Sequence, residues 1–195
     1  MVLFIHGGAW RAGDKKAVGQ KPRALLPAGF VVASANYRFR PDVEVGPMAQ
    51  DVATAVAWLH ANAERFGGNA ERIFLMGHSA GAHLVAVVGT NEAYLKNVGL
   101  SHAIIRGVIP LDTGPYNVAL QMERTSGRYG QLMTFVFGED HSKWQAVSPW
   151  HHVSARTPPF LVFTSDGRQD AAIQARPFVE RLQAHGVEAL SLIHI

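Results

Sequence analysis

The sequence predicts an α/β protein built on a largely parallel sheet, on two observations. Short apolar runs at 2–5, 30–35, 73–76, 104–109 and 160–163 are long enough for buried strands. Segments with helical spacing separate them, the pattern of parallel strands joined by crossover helices. The chain has 195 residues, 48% of them hydrophobic and 17% charged, so one domain over 1–195 can bury a sizeable core.

The first run, 2–5, leads straight into His6-Gly7-Gly8-Ala9-Trp10. The clearest helix is expected at about 47–66, where Val52, Ala55, Val56 and Leu59 follow the i, i+3, i+4, i+7 spacing of one buried stripe and Gly67-Gly68 stop it. Asp51 and Trp58 on that helix read as a polar contact and a core anchor. A later helix carries Ala175, Phe178, Val179 and Leu182, is expected to begin regularly at Pro177, since proline is poor in a helix interior, and ends at Gly186. Residues 111–158 hold Tyr116, Tyr129, Trp144 and Trp150 without a sustained period and read as a cap-like excursion over the site, its aromatics packing the loop or lining a pocket.

Composition narrows the functional classes. The formal charge of +3 comes from scattered Lys and Arg, with neither the basic run nor the interleaved aromatics of a nucleic-acid surface. No apolar stretch has the length of a membrane span, and Met1 leads into a strand without a charged leader, so the default expectation is a cytoplasmic protein. With no cysteine, a disulfide framework, a thiolate nucleophile and a cysteine-ligated metal are all excluded.

Gly77-His78-Ser79-Ala80-Gly81 lies between the run 73–76 and a helix-like stretch from Ala82 to Val88, the strand, turn and helix setting of a nucleophile elbow. A serine hydroxyl is a weak nucleophile, so it must be held where a base can take its proton and a substrate carbonyl can reach it. Ser79 is the candidate nucleophile. Gly77 and Gly81 keep side chains away from a close-packed turn. The glycine loop after the first run supplies the second half of this chemistry: fixed backbone N–H groups stabilise an oxyanion without reorganising. Gly7 and Gly8, with Ala80 immediately after the serine, are the candidate oxyanion-hole donors.

These residues, together with Asn36-Tyr37-Arg38-Phe39-Arg40-Pro41, Gln50-Asp51 and Ala57-Trp58-Leu59, resemble the α/β-hydrolase superfamily, and within it the hormone-sensitive-lipase-like carboxylesterases. The resemblance spans nearly the whole chain. It implies a mostly parallel sheet flanked by helices and cofactor-independent hydrolysis of a small-molecule carboxylic ester through an acyl-enzyme. The glycine loop comes almost at the N-terminus, so the first strands of such a fold are expected to be missing.

A Ser, acid, His order asks for an acid after the run 160–163. Asp166 and Asp170 both qualify. The D-x-x-x-D pattern of the resembling esterases favours Asp166, with Asp170 in reserve, to orient the base and stabilise its cation. The base itself is expected in a short loop beyond the last strand. The chain reaches Ile195 within that strand, so the expectation is a fragment truncated at both ends, without the C-terminal histidine loop and nearly inactive. His194 lies too early for that role, in a terminal Ser191-Leu192-Ile193-His194-Ile195 stretch that resembles translated adapter sequence, and His185 is expected at a helix end.

Ten histidines invite a metal reading, but His78 and His83 lack an H-E-x-x-H pattern, and adjacent His151 and His152 point to opposite faces of extended backbone. No metal is expected. Two alternatives to the esterase stay open: an amidase resembling kynurenine formamidases, which share the glycine loop and the Gly-His-Ser-Ala-Gly-Ala-His elbow, and a non-catalytic binding protein of the same fold.

Overall fold

Every predicted apolar run becomes a strand of one parallel sheet in the computed structural model, which describes residues 1–194 and the side chains of all of these except Gln169, Ile193 and His194. The strands are β1 (Val2–Ile5), β2 (Val32–Ala35), β3 (Ile73–His78), β4 (Ile105–Leu111), β5 (Phe160–Ser165) and β6 (Ala189–His194), in the order β2-β1-β3-β4-β5-β6. All five pairings are parallel. The order reverses direction at β1 and β3, whose carboxyl ends therefore open a crevice.

Helices cover the sheet. They are α1 (Lys21–Leu25), α2 (Val45–Ala61), α3 (Ala80–Thr90), α4 (Ala93–Lys96), α5 (Val118–Arg124), α6 (Gly127–Phe137), α7 (His141–Trp144), α8 (Pro149–His152) and α9 (Gln169–Ala184). None is long and apolar enough to cross a membrane among the described residues. Helix α3 is buried on every side, as a helix must be that starts beneath the crevice and runs along the middle of the sheet. Val52, Val56 and Leu59 of α2 pack inward with Met48 and Ala49 in the same core.

Four expectations are corrected. Trp58 is 55% exposed and rests against Phe66, with ring centroids 5.9 Å apart; it lies off the stripe that Val52, Val56 and Leu59 turn to the core. Helix α2 ends at Ala61, and only a short 3-10 turn, Glu64–Phe66, follows before Gly67, whose φ of +71° stops it. Helix α9 starts well before Pro177 and carries that proline inside. The carbonyl that Pro177 leaves without its usual partner belongs to Ile173, which is 46% exposed, while Ala175, Phe178 and Leu182 bury the other face. The stretch between β4 and β5 is largely helical, made of α5 to α8, rather than aperiodic loop.

The aromatics of that excursion divide the work. Tyr116 stacks on Phe178 with centroids 4.3 Å apart, and Trp144 donates from Nε1 to the carbonyls of Phe137 and Gly138, both at 3.2 Å. The first fastens the excursion to α9, and the second ties α7 to the end of α6 within it. Tyr129 stands at the crevice.

Candidate active site

Ser79 occupies the single residue between β3 and α3, with φ +52° and ψ −118°, a region a non-glycine residue enters only under constraint. The constraint is visible on all sides. A side chain at Gly77 would strike the Gly81 carbonyl, and one at Gly81 would strike the carbonyls of Ile5 and His6. The turn therefore lies directly against the end of β1, and the Ser79 amide donates to the Leu111 carbonyl at 2.8 Å. The hydroxyl-bearing carbon is left half-buried at the floor of a cavity of about 350 Å³.

That cavity is walled by Ala9 and Trp10 from the first glycine loop, by Asp112, Thr113, Gly114 and Pro115 after β4, by Tyr129 and Leu132 of α6, and by Arg168 and Asp170 beyond β5. The wall is thus assembled from segments that follow the carboxyl ends of β1, β3, β4 and β5. Gly7 and Gly8 pass close by. A Cβ at Gly7 would come within 3.1 Å of the Ser79 Cβ, so the loop backbone lies on the elbow itself. Gly8 has φ +135° and its carbonyl accepts from the amides of Arg11 and Ala12, each at 3.1 Å, which turns the chain back over the cavity. No protein acceptor takes the amides of Gly7 or Gly8 among the described residues, and the first turn of α3 leaves the Ala80 amide without an intrahelical partner.

His6 fixes this loop from below. Its ring stacks on Tyr37 at 4.7 Å, its Nδ1 lies 2.7 Å from the Gly7 carbonyl, and the Tyr37 hydroxyl donates to the His6 carbonyl at 3.2 Å. His83, one turn into α3, is fully buried and held 2.9 Å from the Val147 carbonyl through Nε2. Burial pushes its pKa down to about 4, so it is neutral at physiological pH. Trp10 packs edge-on against it at 5.5 Å.

The two predicted acids part company. Asp166 is exposed, at the corner of a turn that the Arg168 amide closes on the Ser165 carbonyl at 3.0 Å, and it is not part of the cavity wall. Asp170 is on the wall. Both of its oxygens accept from Arg168, at 2.9 Å each, and the Tyr129 hydroxyl donates to Oδ2 at 3.2 Å. The Arg168 hydrogen bonds hold the Asp170 carboxyl below the usual carboxylate range, while burial, reinforced by Asp170, pushes the Tyr129 hydroxyl up to about 12. Behind this cluster, buried Gln174 donates to Gln121 at 2.7 Å and accepts from the Asn117 amide at 2.7 Å.

No histidine lines the cavity among the described residues. His185 is exposed at the end of α9, with Nδ1 2.8 Å from the Arg181 carbonyl. His194 ends β6 in register with Ser165, and its side chain lies outside the described residues. Asp51 makes the polar contact expected of it, pairing with both Nε and Nη2 of Arg38.

Sequence reasoning did not find Ala9, Trp10, Asp112 or Arg168. Asp112 had a readable signal, an acid directly after an apolar strand. Ala9 and Trp10 take left-handed backbone without being glycine, which nothing in their side chains announces.

The comparisons agree with this architecture. The sequence matches the family BD-FAE over residues 1–177. Esterase LipC of Mycobacterium tuberculosis is 32% identical, with 94% of this chain and 48% of that protein covered. A probable isoprenylcysteine alpha-carbonyl methylesterase, ICMEL1 of Oryza sativa subsp. japonica, is 30% identical over 97% of this chain and 48% of its own. The chain spans about half the length of the curated relatives it matches. Esterase B from Lactobacillus Rhamnosis has the same fold, with a TM-score of 0.80 at 22% identity, covering 98% of this chain and 63% of that one. A parallel sheet with a serine at its strained strand-to-helix turn, and a family match running from the first residue past the middle of α9, lead to one assignment: the chain belongs to the BD-FAE family of α/β-hydrolases.

Proposed function

We propose that the protein of which this chain is the sequence hydrolyses small carboxylic esters through an acyl-enzyme on Ser79. The observation that carries the reading is the strained turn of Ser79 at the floor of a cavity whose rim is a glycine loop with free amides. Oγ attacks the ester carbonyl, the oxyanion settles among the amides of Gly7, Gly8 and Ala80, a base takes the serine proton and returns it to the departing alcohol, and water clears the acyl group. The turn after β5 supplies an acid, Asp166 by its sequence pattern or Asp170 by its place on the cavity wall. No step in this scheme calls for a cofactor or a metal. The similarity to proteins named as esterases supports an ester as substrate.

The domain reading that accompanies it is one α/β-hydrolase unit over 1–195, with 111–158 as the segment that shapes the acyl and alcohol sites. Support comes from Tyr129 and Leu132, which bring that segment to the cavity.

Fluorophosphonate labelling with imidazole added as a base tests the nucleophile: the wild-type chain, whose cavity has no histidine among the described residues, is expected to be labelled under that condition and Ser79→Ala not. Labelling of the two alike would leave a hydrolase-fold binding protein as the better reading. Among labelled forms, faster turnover of N-formylkynurenine than of short p-nitrophenyl esters would replace the esterase with the amidase.

A further inference from the structure

The glycine loop is strung between two buried side chains. His6 holds its near end, Gly7 and Gly8 have no side chain to hold it with, and Ala9 is only half-buried. Trp10, 4% exposed, is the first buried side chain beyond the glycines. Ala9 and Trp10 keep left-handed backbone, with φ of 53° and 57°, a conformation that persists at residues with a Cβ only where the surroundings impose it. Whatever fixes the Trp10 ring therefore fixes the far end of the loop.

Two further rings do so. Trp10, His83 and Phe137 meet edge-on in all three pairings, with centroids 5.5 Å apart for Trp10 and His83, 5.4 Å for Trp10 and Phe137, and 5.5 Å for His83 and Phe137, the arrangement aromatic rings favour. Each ring comes from a different part of the site. Trp10 ends the glycine loop; His83 lies one turn into α3, its amide donating to the Ser79 carbonyl at 3.1 Å; Phe137 ends α6, the helix that brings Tyr129 and Leu132 to the cavity. The His83 ring cannot turn freely: a carbonyl only accepts, so the Nε2 held by Val147 carries the proton, and Nδ1 has no partner among the described residues. Arg40 runs a parallel tie, donating from its amide to the Trp10 carbonyl at 2.8 Å and from Nε to the Phe135 carbonyl of α6 at 3.0 Å.

We propose that His83 and Phe137 are positioning residues of the Ser79 site: through the Trp10 ring they hold the amides of Gly7 and Gly8 in place, so that the seating of the excursion on the body sets the geometry of the glycine loop. This rests on the reading of Ser79 as nucleophile and of those amides as oxyanion donors. Such donors act because they are fixed before the reaction begins, and a displacement of about 1 Å is enough to lose much of their effect. Trp10 lines the cavity, whereas His83 and Phe137 do not, so these two act through Trp10 and not by touching substrate. The excursion thereby does more than shape the cavity from above. Its helix α6 reaches the reaction centre twice, directly through Tyr129 and Leu132 and from behind through Phe137.

The test changes the rings and reads the loop, in the full chain. Amide hydrogen exchange over residues 6–13 reports the loop directly, and Ser79 labelling by a fluorophosphonate with imidazole added as base reports its function. Phe137→Leu removes one ring while keeping an apolar side chain, and His83→Gln removes another while keeping a donor for Val147. Leu59→Ala, in the core at the far end of α2, controls for lost stability alone. Phe137→Leu and His83→Gln are each expected to speed exchange over 6–13 about tenfold. Each should also lower the labelling rate at saturating probe about tenfold, with the half-saturating concentration near that of wild type, the signature of donors that matter only as the oxyanion forms. Phe137→Tyr restores the ring and should restore both readouts; Leu59→Ala should leave both unchanged. Wild-type exchange over 6–13 in Phe137→Leu and His83→Gln would overturn the proposal, as would an equal response in Leu59→Ala. A wild-type chain that stays unlabelled with imidazole would overturn the reading of Ser79, and the exchange rates would still decide whether the rings hold the loop.

Discussion

The Ser79 amide donates to the Leu111 carbonyl at 2.8 Å, and this one bond joins the turn above β3 to the end of β4. Neighbouring parallel strands ordinarily exchange bonds only within the ladder. Here the ladder continues one step beyond β3 and takes the strained residue with it, so the position of the serine is set by the sheet and not by a mobile loop.

A methyl group at position 81 should be costly for this reason. Gly81→Ala would press its side chain into the carbonyls of Ile5, the last residue of the fully buried β1, and of His6 just beyond it, and this backbone cannot yield cheaply. The expected loss is about 2–4 kcal/mol in urea unfolding, together with slower labelling of Ser79. An unchanged unfolding midpoint would mean that β1 and the elbow are not packed as described.

Relaxing the serine itself should act in the opposite direction. Ser79→Gly removes the side chain that makes φ +52° unfavourable and is expected to stabilise the fold by about 1 kcal/mol while abolishing labelling. A thermal melt of that variant beside Ser79→Ala separates the backbone effect from loss of the hydroxyl.

Acid should unfold the protein partly through His83. Its folded pKa is near 4, below the ordinary value of 6.5, because burial disfavours the cation. The unfolded chain therefore binds this proton first as pH falls, so the stability is fully present above pH 6.5 and is lost on the way down to pH 4. The loss is about 3 kcal/mol over that range. His83→Gln keeps a donor for the Val147 carbonyl and does not titrate, so its urea stability should fall less steeply across the same pH range. Parallel curves for the two proteins would assign the acid sensitivity elsewhere, for example to His102, whose pKa burial also lowers.

The polar support behind Tyr129 makes a separate prediction. Gln174→Leu would strip the Asn117 amide of its acceptor and the buried Gln121 side chain of its donor. A loss of about 2–3 kcal/mol is expected in urea unfolding. If Gln174→Leu is neutral, the network contributes little to stability.

Much of this was legible beforehand because strands and glycines announce themselves. Five of the six strands follow from largely apolar runs, broken only by Ser34 in β2 and Arg106 and Gly107 in β4, and the elbow and glycine loop follow from residues with few other reasons to stand together. Trp58 was misjudged because a large apolar side chain near a buried stripe looks like part of it, and only the helical phase, counted from Val52 and Val56, turns it outward. Pro177 misled because helix interiors usually exclude proline, whereas here the cost falls on a carbonyl beside solvent-exposed Ile173. Asp166 and Asp170 both follow the apolar strand β5, and the sequence cannot say which of them reaches the cavity wall, where Asp170 stands. That depends on the turn that leaves Asp166 exposed and on the Arg168 and Tyr129 hydrogen bonds that hold Asp170 inward.

The path between β4 and β5 has a practical corollary. These strands are neighbours in the sheet, yet the chain leaves one at Leu111 and returns to the other at Phe160 by way of four helices. Since the closure entropy of a long detour grows only slowly with its length, that segment tolerates changes of length wherever its fastenings, Val147 to His83, Phe137 to Trp10 and Tyr116 to Phe178, are kept. Those three anchors, more than the mileage between the strands, dictate what a substitute for the detour must preserve.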